Sequence, residues 1–486
     1  MSESSKVVYE VIDAKGVPKW DDEVDLVVCG LGASGSATAC EAALQGGAVL
    51  VLERASGFGG ITANAAGHVY AGGGTRVQKA VGVDDSVEAM KTYLMEMTPE
   101  PDEEKIDLFC NDSVSHFDWL SDNGVPFNNT MYKGKHVLQP TDECLISSGN
   151  EEVYPYREHA KPAYRGHKVA VHGEHGGIKL VECLVERAKS LGVEVRYECY
   201  VQKLVRDGDR IVGVLYRTLD GETRHARARK GVVLCMGHFS GNVEMMKKYT
   251  PLLADKRVYK QATPACDGAG IQLGLAAGGE ALHMDGALVT CPFYPPESLI
   301  KGILVNKHGK RFVAEDSYHS RTSIFITKQP DGVAYLIADD EIFGRPEFGG
   351  YEVIDAYETF EEMEEGLGIP GLAAELRRYN ENAEKGEDPD FHKGKKWLRP
   401  LTKAPFAAMQ ASFGKNFFVG FTLGGLRVSK DAEVLRADGS PIAGLYAAGA
   451  CASNIAQDGT GYSSGTCIAE STYFGRRGAR HALGKA

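Results

Sequence analysis

The stretch VDLVVCGLGASGSATACEAALQGGAVLVLE (24–53) decides the fold of this 486-residue chain. An apolar, β-branched run (24–30) leads into the turn GLGASG (30–35), an Ala-rich run (34–47) follows, and a second apolar run ends at Glu53. This order predicts a buried strand, a G-x-G-x-x-G turn, a helix and a second strand. The glycine pattern alone is common, but here it stands between a strand and a helix, which is the context that dinucleotide binding requires.

Each position of the turn has its own task in binding a dinucleotide. Gly30 permits the tight turn, Gly32 lets the backbone approach a pyrophosphate, and Gly35 lets the helix pack against the strand. The N-terminus of the helix then faces the phosphate charge. Glu53, at the end of the next strand, is expected to accept hydrogen bonds from the adenosine ribose hydroxyls, which disfavours a 2′-phosphate.

Further segments favour FAD over NAD as the dinucleotide. GGITA (59–63) supplies small residues and N–H groups near a second phosphate, and GVVLCMG (231–237) resembles the strand that flavoproteins of this class place near the adenine. GLYAAGACA (444–452) and GTGYSSGTCIAES (459–471) predict a glycine-rich segment that feeds a C-terminal helix. The N-terminal dipole of that helix can face a flavin carbonyl, where reduction builds negative charge. The alternative is a plain strand–helix turn without a ligand.

The composition argues against several classes of function. Lys and Arg number 54 against 66 Asp and Glu, and the net charge of −12 argues against a nucleic-acid or anionic-membrane partner. The eleven cysteines include no C-x-x-C pair and favour reduced core thiols over a disulfide framework or a metal site. No basic and apolar leader opens the chain, and no apolar run reaches the length of a membrane span, so we expect a soluble, cytoplasmic protein.

The rest of the chain predicts an α/β fold with a split domain. Residues 193–237 alternate strands with Asp-Gly turns, which predicts an antiparallel meander that returns to a buried strand. Residues 288–402 differ, with a strand–turn–strand around KHGK and a charged helical stretch. We therefore predict a Rossmann-like FAD-binding domain, a parallel sheet with an antiparallel meander, formed by 1–287 and 403–486, and an inserted α+β catalytic domain formed by 288–402. Helical periodicity is found at 86–97, 103–124 and 177–192.

Residues 127–178 show little periodic pattern and are rich in Gly, Pro, His and Tyr. A segment of this length without clear elements is long for a loop. It is typical of a functional element or of an excursion with its own packing. Only one dinucleotide fingerprint is present in the chain, so a separate NAD(P)H domain is not expected.

Several motifs carry a resemblance to a known family that covers nearly the whole chain. They are VLERASGFGG (51–60), AGGGT (71–75) with QKA (78–80), GILVNKHGKRFVAEDSYHSR (302–321), GFTLGGLR (420–427) and GYSSGT (461–466). Through them the chain resembles the 3-ketosteroid Δ4-(5α)-dehydrogenases, flavoproteins that share a fold with fumarate reductase. The resemblance implies FAD, a small apolar ketone (a steroid) as substrate, and a new double bond between carbons 4 and 5 of a 3-keto-5α-steroid. The resemblance does not identify the external electron acceptor or the oligomeric state.

The resemblance also assigns catalytic roles to Tyr318, Tyr462 and Ser464. Ser464 is placed to take the axial proton from carbon 4, and Tyr318, in the E-D-x-Y segment, assists it and passes the proton onward. Tyr462 hydrogen-bonds the carbon-3 oxygen, and flavin N5 takes the carbon-5 hydrogen as hydride. The residue types suit this chemistry, because a phenol in a water-poor pocket stabilises an enolate and a serine needs a relay partner to act as a base. Among the histidines of these segments, His319 is the one candidate for a base.

The predicted cofactor site combines the fingerprint, the segments after it and the C-terminal turn. Its residues are Gly30, Gly32, Ala33, Ser34, Gly35, Glu53, Arg54, Gly60, Thr62, Ala63, Gly73, Val201, Gly237, Asp267, Gly449, Ala450, Ser464, Gly465 and Thr466. We expect the FAD to be non-covalent, because no histidine stands directly beside Gly60 in the way that covalent relatives place theirs. No metal is expected.

Four alternatives to this function remain open. Reductases of α,β-unsaturated acids such as fumarate or urocanate use an arginine shortly after R-F-x-x-E, whereas RFVAE (311–315) is followed here by Asp-Ser-Tyr-His. Residues 452–465 contain no Arg, Lys or His, so a dianionic substrate would lack counter-charges there. The Δ1-desaturating ketosteroid enzymes carry a proline that GYSSG (461–465) lacks. The other two alternatives are an ene-type reductase that works the same bond in reverse and a non-enzymatic flavin-binding module.

Overall fold

A nine-stranded sheet organises the protein, with the fingerprint strand inside it. The structure is a computed structural model and describes residues 8–485. Up to Thr290 the strands are β1 (Glu10–Asp13), β2 (Asp22–Cys29), β3 (Val49–Leu52), β4 (His68–Tyr70), β5 (Leu145–Ile146), β6 (Gly166–Lys168), β7 (Glu194–Arg196), β8 (Tyr200–Asp207), β9 (Arg210–Arg217), β10 (Thr223–Leu234), β11 (Val258–Lys260), β12 (Ala281–Leu282) and β13 (Ala287–Thr290). The helices of this part are α1 (Ala33–Leu44), α2 (Arg76–Ala80), α3 (Val87–Met97), α4 (Glu103–Asn111), α5 (Ser113–Asp122), α6 (Tyr156–His159), α7 (Gly176–Ser190), α8 (Val243–Tyr249), α9 (Pro251–Ala254) and α10 (Ala269–Ala276).

The remaining elements belong to the predicted inserted domain and to the C-terminal part. The strands are β14 (Ile303–Asn306), β15 (Ala334–Ala338), β16 (Val353–Tyr357), β17 (Phe406–Gln410), β18 (Phe418–Thr422), β19 (Gly425–Arg427), β20 (Glu433–Leu435), β21 (Pro441–Ala447) and β22 (Ala452–Ser453). The helices are α11 (His319–Thr327), α12 (Phe360–Leu367), α13 (Leu372–Glu384) and α14 (Thr466–Ala482).

The large sheet combines a parallel half with an antiparallel meander. β7, β3, β2 and β10 pair in parallel in that order, and β21 pairs in parallel with the last residues of β10. β8, β9 and the first residues of β10 form the meander, β1 pairs with β8 at one edge, and β20 pairs with β21. The predicted α/β fold with this mixture of pairings is confirmed.

The fingerprint strand supplies side chains to a core on each side of the sheet. Val27 and Cys29 are fully buried in one core, and Leu26 and Val28 are fully buried in the other. An apolar run without alternation is typical of a strand with both faces covered. On one face α1 lies so close to α14 that a Cβ at Gly475 of α14 would lie 2.7 Å from the Thr38 hydroxyl oxygen. The C-terminal helix is thereby held beside the fingerprint helix.

A four-stranded antiparallel sheet, in the order β14-β15-β17-β16, forms the centre of the predicted inserted domain. β17 belongs to this sheet although it follows the predicted boundary at residue 402. The domain division stays a prediction, and the pairing of β17 favours a return to the first domain after Gln410. The second strand predicted around KHGK is reduced to a single bridge between Val305 and Arg311.

Two further features bear on the predicted elements and on the site. The predicted helix at 103–124 is divided into α4 and α5 at Asp112, whose backbone stays in the right-handed helical region, so the interruption is one residue long. A three-stranded sheet, β11-β18-β13, joins the first part of the chain to the last part. Within residues 8–485, none of the helices is both long enough and apolar enough to cross a membrane.

Candidate active site

A large cavity of about 700 Å³ lies where the fingerprint turn, the start of α14 and the β11-β18-β13 sheet meet. Gly32 and Glu53 line it from the first part of the chain, Tyr318 from the predicted inserted domain, and Ser464 from the C-terminal part. This volume is in the range of sites for cofactors and small ligands. Three segments that are distant in sequence thus contribute to one site.

The fingerprint turn forms its part of the cavity with backbone. Gly30 has φ +101°, and a Cβ there would lie 2.4 Å from the Cys235 carbonyl oxygen. A Cβ at Gly35 would lie 2.0 Å from the Gly30 oxygen, which confirms close packing of α1 on the turn. Gly32 differs, because a Cβ there would meet no protein atom closer than 3.6 Å. Gly32 therefore keeps a space open at the N-terminus of α1, as a phosphate requires.

A pair of charged groups follows the second fingerprint strand. The Glu53 carboxylate accepts the backbone N–H groups of Leu31 and Ala55, each at 2.7 Å, which fixes its orientation at the cavity wall. Burial raises the pKa of Glu53, while these donors act in the opposite direction. Arg54 forms an ion pair with Asp267, with an N···O distance of 2.9 Å, and both residues also line the cavity. The side chains present here suit an adenosine ribose more than an added phosphate, because the one arginine is already paired.

The start of α14 contributes a second helix N-terminus. Gly465 precedes the helix with φ +92°, and a Cβ there would lie 2.7 Å from the backbone nitrogen of Tyr70. Ser464, Gly465 and Cys467 line the cavity, so the first turn of α14 borders it. The partial positive charge of this helix end suits a flavin carbonyl. The residues therefore fit FAD: Gly32 and α1 would hold the pyrophosphate, Glu53 the ribose, and the start of α14 the flavin ring.

Most of the residues predicted to bind the cofactor line the cavity. They are Gly30, Gly32, Ala33, Ser34, Glu53, Arg54, Gly60, Thr62, Val201, Gly237, Asp267, Ala450, Ser464 and Gly465. The other predicted residues do not line it, and these are Gly35, Ala63, Gly73, Gly449 and Thr466.

Contacts explain why several of these residues stand back from the cavity. Gly449 packs behind the wall, since a Cβ there would lie 2.5 Å from the Ser34 hydroxyl oxygen. Thr466 directs its hydroxyl to the carbonyl of its own turn, at 2.9 Å. Gly73 donates its N–H to Asp85 at 2.9 Å, so the structure does not bring it to the cofactor site. The glycine run that contains it packs against Asp85, which forms a fully buried ion pair with Arg165 at 2.7 Å.

The three predicted catalytic side chains lie together in the cavity. Tyr318 directly precedes α11, and Tyr462 and Ser464 lie in the loop before α14. The hydroxyl oxygens of Tyr318 and Ser464 are 2.5 Å apart, and the rings of Tyr318 and Tyr462 are 6.4 Å apart between centroids. Both tyrosines are buried, and Ser464 is half-buried. Two hydroxyls in hydrogen-bond contact and a third nearby can move a proton and stabilise a developing negative oxygen.

Burial sets the protonation state of these phenols. It raises the pKa of Tyr318 well above the usual range, although the hydrogen bond with Ser464 acts in the opposite direction. Burial likewise raises the pKa of Tyr462, and the nearby Cys467 adds to this. Both phenols therefore keep their protons near neutral pH and can act as hydrogen-bond donors.

Three histidines also line the cavity: His68, His238 and His319. Burial lowers the pKa of His319 to about 3, and the nearby Lys135 adds to this. Burial lowers the pKa of His68 and of His238 to about 4. The Nδ1 of His319 lies 2.6 Å from the Thr290 hydroxyl, and its ring lies 3.9 Å from the Tyr318 ring. His319 is therefore a neutral packing partner of Tyr318, in an environment that disfavours a general base.

One face of the β11-β18-β13 sheet forms an apolar wall. Phe421 and Leu288 stand opposite each other on neighbouring strands, and Val419 stands opposite both Thr290 and Tyr259. All five side chains line the cavity, as expected for positions that share one face of a sheet. The sequence analysis did not predict this wall, because the motif GFTLGGLR (420–427) begins after Val419 and does not show which strands lie beside it.

Charge is scarce along the cavity. Among the cavity-lining residues that the structure describes, Arg54 is the only Arg or Lys, and Asp267 neutralises it. The three lining histidines are held neutral by burial. A bound dicarboxylate would therefore find no free positive partner here, whereas an uncharged ketone needs none.

Glu470 of α14 is a second group that the sequence analysis missed. Its carboxylate accepts the backbone N–H groups of Ile455 (2.9 Å) and Ala456 (3.1 Å), and it lines the cavity. Burial raises its pKa to about 7, although the two N–H donors act in the opposite direction. The sequence feature that could have indicated Glu470 is an acidic residue four positions after the start of a helix that otherwise begins with small and apolar residues. Glu470 fixes the loop that leads to Tyr462.

Comparison with known proteins assigns the chain to a family. A family model described as an FAD binding domain matches residues 25–467. The chain belongs to this FAD-binding family. FAD is therefore its cofactor, and the chain is a flavin-dependent oxidoreductase by family, as predicted.

Individual relatives show which members of this family the chain resembles. The 3-oxo-5-alpha-steroid 4-dehydrogenase of Comamonas testosteroni is 30% identical over 91% of this chain and 96% of that protein. The urocanate reductase of Eggerthella lenta is 28% identical over 93% of this chain and 73% of that protein. The structure of 3-ketosteroid-delta4-(5alpha)-dehydrogenase from Rhodococcus jostii RHA1 in complex with 4-androstene-3,17-dione is 39% identical, with a TM-score of 0.90 over 97% of this chain and 99% of that chain. The predicted resemblance to the 3-ketosteroid Δ4-(5α)-dehydrogenases is confirmed.

Proposed function

We propose that this protein is an FAD-dependent 3-ketosteroid dehydrogenase that introduces the C4–C5 double bond into 3-keto-5α-steroids. The observation that carries the proposal is the hydrogen-bonded pair of Tyr318 and Ser464 beside Tyr462, in a cavity without free positive charge. The similarity to the two steroid dehydrogenases supports the same substrate class.

The chemistry follows from the positions of the three hydroxyls. Tyr462 donates a hydrogen bond to the carbon-3 oxygen, and this bond strengthens as the oxygen gains enolate character. Ser464 takes the carbon-4 proton while its own proton moves to Tyr318, and Tyr318 passes its hydroxyl proton onward to solvent water, so that each hydroxyl accepts one proton as it releases another. Bound FAD supplies the acceptor of the carbon-5 hydrogen as hydride. Because the loop before α14 carries both Tyr462 and Ser464, one segment sets the distance between donor and base.

The apolar wall suits the rest of a steroid. Phe421 lies at its inner end, 6.4 Å from the Tyr462 ring between centroids. At the outer end Tyr259 and Phe417 are about 60% exposed, with their rings 5.3 Å apart. From Phe421 to Phe417 a strand advances about 13 Å, roughly the length of a fused four-ring skeleton. A flat apolar substrate would cover this face and exclude water from the hydroxyls.

The scarcity of charge separates this proposal from the closest alternative. A reductase of fumarate or urocanate must bind a carboxylate, and Tyr318 and His319 stand where an arginine would be expected. The same hydroxyls serve the reverse reaction, because both directions pass through one transition state. We also propose that the electron acceptor that reoxidises the flavin is not a second nucleotide bound by this chain, because the chain carries one dinucleotide fingerprint.

The experiment is an anaerobic titration of the purified yellow holoenzyme with a 3-keto-5α-steroid. We expect loss of the oxidised-flavin absorbance in step with formation of the Δ4-3-ketone. The 5β-epimer is the matched control, because its carbon-5 hydrogen projects from the opposite face of the ring. Turnover of fumarate with a reduced viologen, with no response to the steroid, would overturn the proposal.

We also propose a cytoplasmic location and a split FAD-binding domain, formed by 1–287 and 403–486 around the inserted catalytic domain 288–402. Eleven free cysteines, ten of them buried, are typical of a reducing compartment. Fractionation of the native host would test the location. Limited proteolysis would test the domains, with cleavage expected in the exposed connections between them and not within β13 or β17.

A further inference from the structure

The patternless segment 127–178 contains a short buried stretch between the catalytic loops. This stretch is Ser148–Glu151, with the sequence SGNE, and all four residues are buried. Asn150 is 0% exposed and Ser148 is 1% exposed, which is unusual for polar residues outside regular elements. Buried polar groups require hydrogen-bond partners, and here the partners include both residues of the proposed proton path, Tyr318 and Ser464.

The stretch holds the backbone of both proton-transfer residues. The N–H of Ser464 donates to the Ser148 carbonyl at 2.6 Å. The N–H of Tyr318 donates to the Asn150 side-chain oxygen at 2.8 Å. Tyr318 and Ser464 come from different parts of the chain, and one four-residue stretch thus fixes the backbone of each.

A buried tyrosine fastens the same stretch to the C-terminal loop. The N–H of Asn150 donates to the Tyr93 hydroxyl at 2.9 Å, and that hydroxyl lies 2.9 Å from the Ser463 hydroxyl. A Cβ at Gly149 would lie 2.0 Å from the Ser463 hydroxyl oxygen. The stretch therefore lies directly against the residue before Ser464, with no room for a side chain between them.

The carboxylate of Glu151 anchors the other end of the stretch. It accepts hydrogen bonds from the hydroxyls of Ser148 (3.1 Å) and Tyr70 (3.2 Å). The N–H of Tyr70 in turn donates to the Gly465 carbonyl at 3.2 Å. Through Glu151 and Tyr70, the stretch is thus connected to the C-terminal loop at Gly465 as well as at Ser464.

We propose that Ser148–Glu151 is the positioning element of the active site, and that Asn150 is its main positioning residue, because it joins Tyr318 to the loop of Ser464. The effect of this element on catalysis rests on the proposed function. The hydrogen bonds that hold Tyr318 and Ser464 do not depend on it. Proton transfer needs the two oxygens within hydrogen-bond reach, and an ångström of misplacement can cost on the order of 100-fold in rate. The Asn150 amide nitrogen has no hydrogen-bond partner among the residues that the structure describes, so the side chain acts through its oxygen.

The test compares Asn150→Ala with Asn150→Asp, which keeps an acceptor oxygen at the same place. In Asn150→Ala we expect flavin reduction by a 3-keto-5α-steroid to slow at least about 100-fold, while the Kd of the steroid changes less than about threefold. The solvent deuterium isotope effect on flavin reduction should rise, because proton transfer becomes the slow step. Asn150→Asp should recover most of the rate. The control Asn128→Ala removes two hydrogen bonds to Asp142 in the same excursion and should leave the rate unchanged.

Crystal structures of the variants separate this inference from the proposed function. Asn150→Ala and Gly149→Ala should each lengthen the Tyr318–Ser464 oxygen distance beyond about 3.5 Å, whatever the substrate is. An unchanged distance, or a rate within about threefold of the wild type in both variants, would overturn the inference. If Asn150→Ala does not fold, Gly149→Ala and Asn150→Asp carry the same comparison. A wild-type enzyme that ignores the steroid, with the distance altered in the variants, would remove the proposed function and keep the positioning role.

Discussion

The hydroxyl oxygens of Tyr318 and Ser464 lie 2.5 Å apart although 146 positions separate the residues in sequence. Neither residue is an ordinary base, since burial keeps the Tyr318 phenol protonated and a serine hydroxyl is scarcely ionised near neutral pH. The pair can act only as a relay, in which a proton enters at one oxygen as another leaves. The chemistry therefore depends on the distance between two segments more than on the acidity of either group.

Removing either hydroxyl should stop the relay and leave the cofactor in place. Ser464→Ala and Tyr318→Phe are each expected to lower the rate of anaerobic flavin reduction by about 100- to 10,000-fold, because general acid–base assistance is worth that much. The double variant should be little worse than either single one, since the two groups act as a unit. Stopped-flow absorbance measures the rate, and flavin content is the control. Near-wild-type rates in both single variants would remove the proposed proton path.

Tyr462 should affect the transition state more than the bound substrate. Tyr462→Phe keeps the ring against Phe421 and removes the donor to the carbon-3 oxygen. We expect kcat to fall by about 100- to 1,000-fold with a small change in KM, as for loss of one oxyanion donor. Tyr259→Phe, at the exposed outer end of the same wall, is the matched control and should change kcat little. An unchanged kcat in Tyr462→Phe would mean that a backbone N–H, and not Tyr462, donates the hydrogen bond to the carbon-3 oxygen of the substrate.

A side chain introduced at Gly32 should prevent flavin binding without disturbing the fold. Its backbone lies in the extended region that other residues adopt, and a Cβ there meets no protein atom closer than 3.6 Å. Gly32→Val should therefore fold with a melting temperature near that of the apoprotein and contain little or no flavin. Absorbance of the purified protein and circular dichroism measure the two effects, and Gly16→Val is the control, since a Cβ at Gly16 meets nothing within 4 Å. Normal flavin content in Gly32→Val would contradict the phosphate assignment.

The sequence was sufficient for the parts of the site that local rules determine. The strand–glycine–helix order pointed to Gly30, Gly32 and Glu53, and all three line the cavity, because a phosphate turn is built from consecutive residues. The role of Ser148–Glu151 could not be predicted, because its contacts with Tyr318 and Ser464 join residues more than 150 positions apart. Gly73 was assigned to the cofactor from its motif, and the structure pairs it with Asp85 instead. A motif records which residues occur together and does not show which of them faces the ligand.

Stability should depend on a buried cluster of charges in the predicted inserted domain. Arg311 forms ion pairs with Glu315 (2.9 Å) and Asp388 (2.8 Å), and all three side chains are at most 2% exposed. Removing one partner from such a cluster leaves uncompensated buried charge and costs about 3–5 kcal/mol. Arg311→Ala should therefore lower the free energy of unfolding by about this amount near pH 7. Arg321→Ala is the control, because the Arg321 side chain contacts the Tyr156 hydroxyl and forms no carboxylate ion pair within residues 8–485.

The same cluster predicts the direction of the pH dependence. Burial alone would raise the pKa of Glu315 and of Asp388, but the charge and hydrogen bonds of Arg311, together with the buried Lys393, outweigh it and hold both below their usual range. A carboxyl with a lowered folded-state pKa contributes stability above its unfolded pKa of about 4 and loses it as the pH falls through the folded value. The difference in unfolding free energy between wild type and Arg311→Ala should thus be largest near neutral pH and shrink as the pH falls, and the decline should begin above the unfolded pKa of about 4, because burial raises the pKa of a carboxyl that has lost Arg311. Urea denaturation at several pH values measures it, and a difference that grows on acidification would contradict the assignment of Arg311 as the partner of both carboxylates.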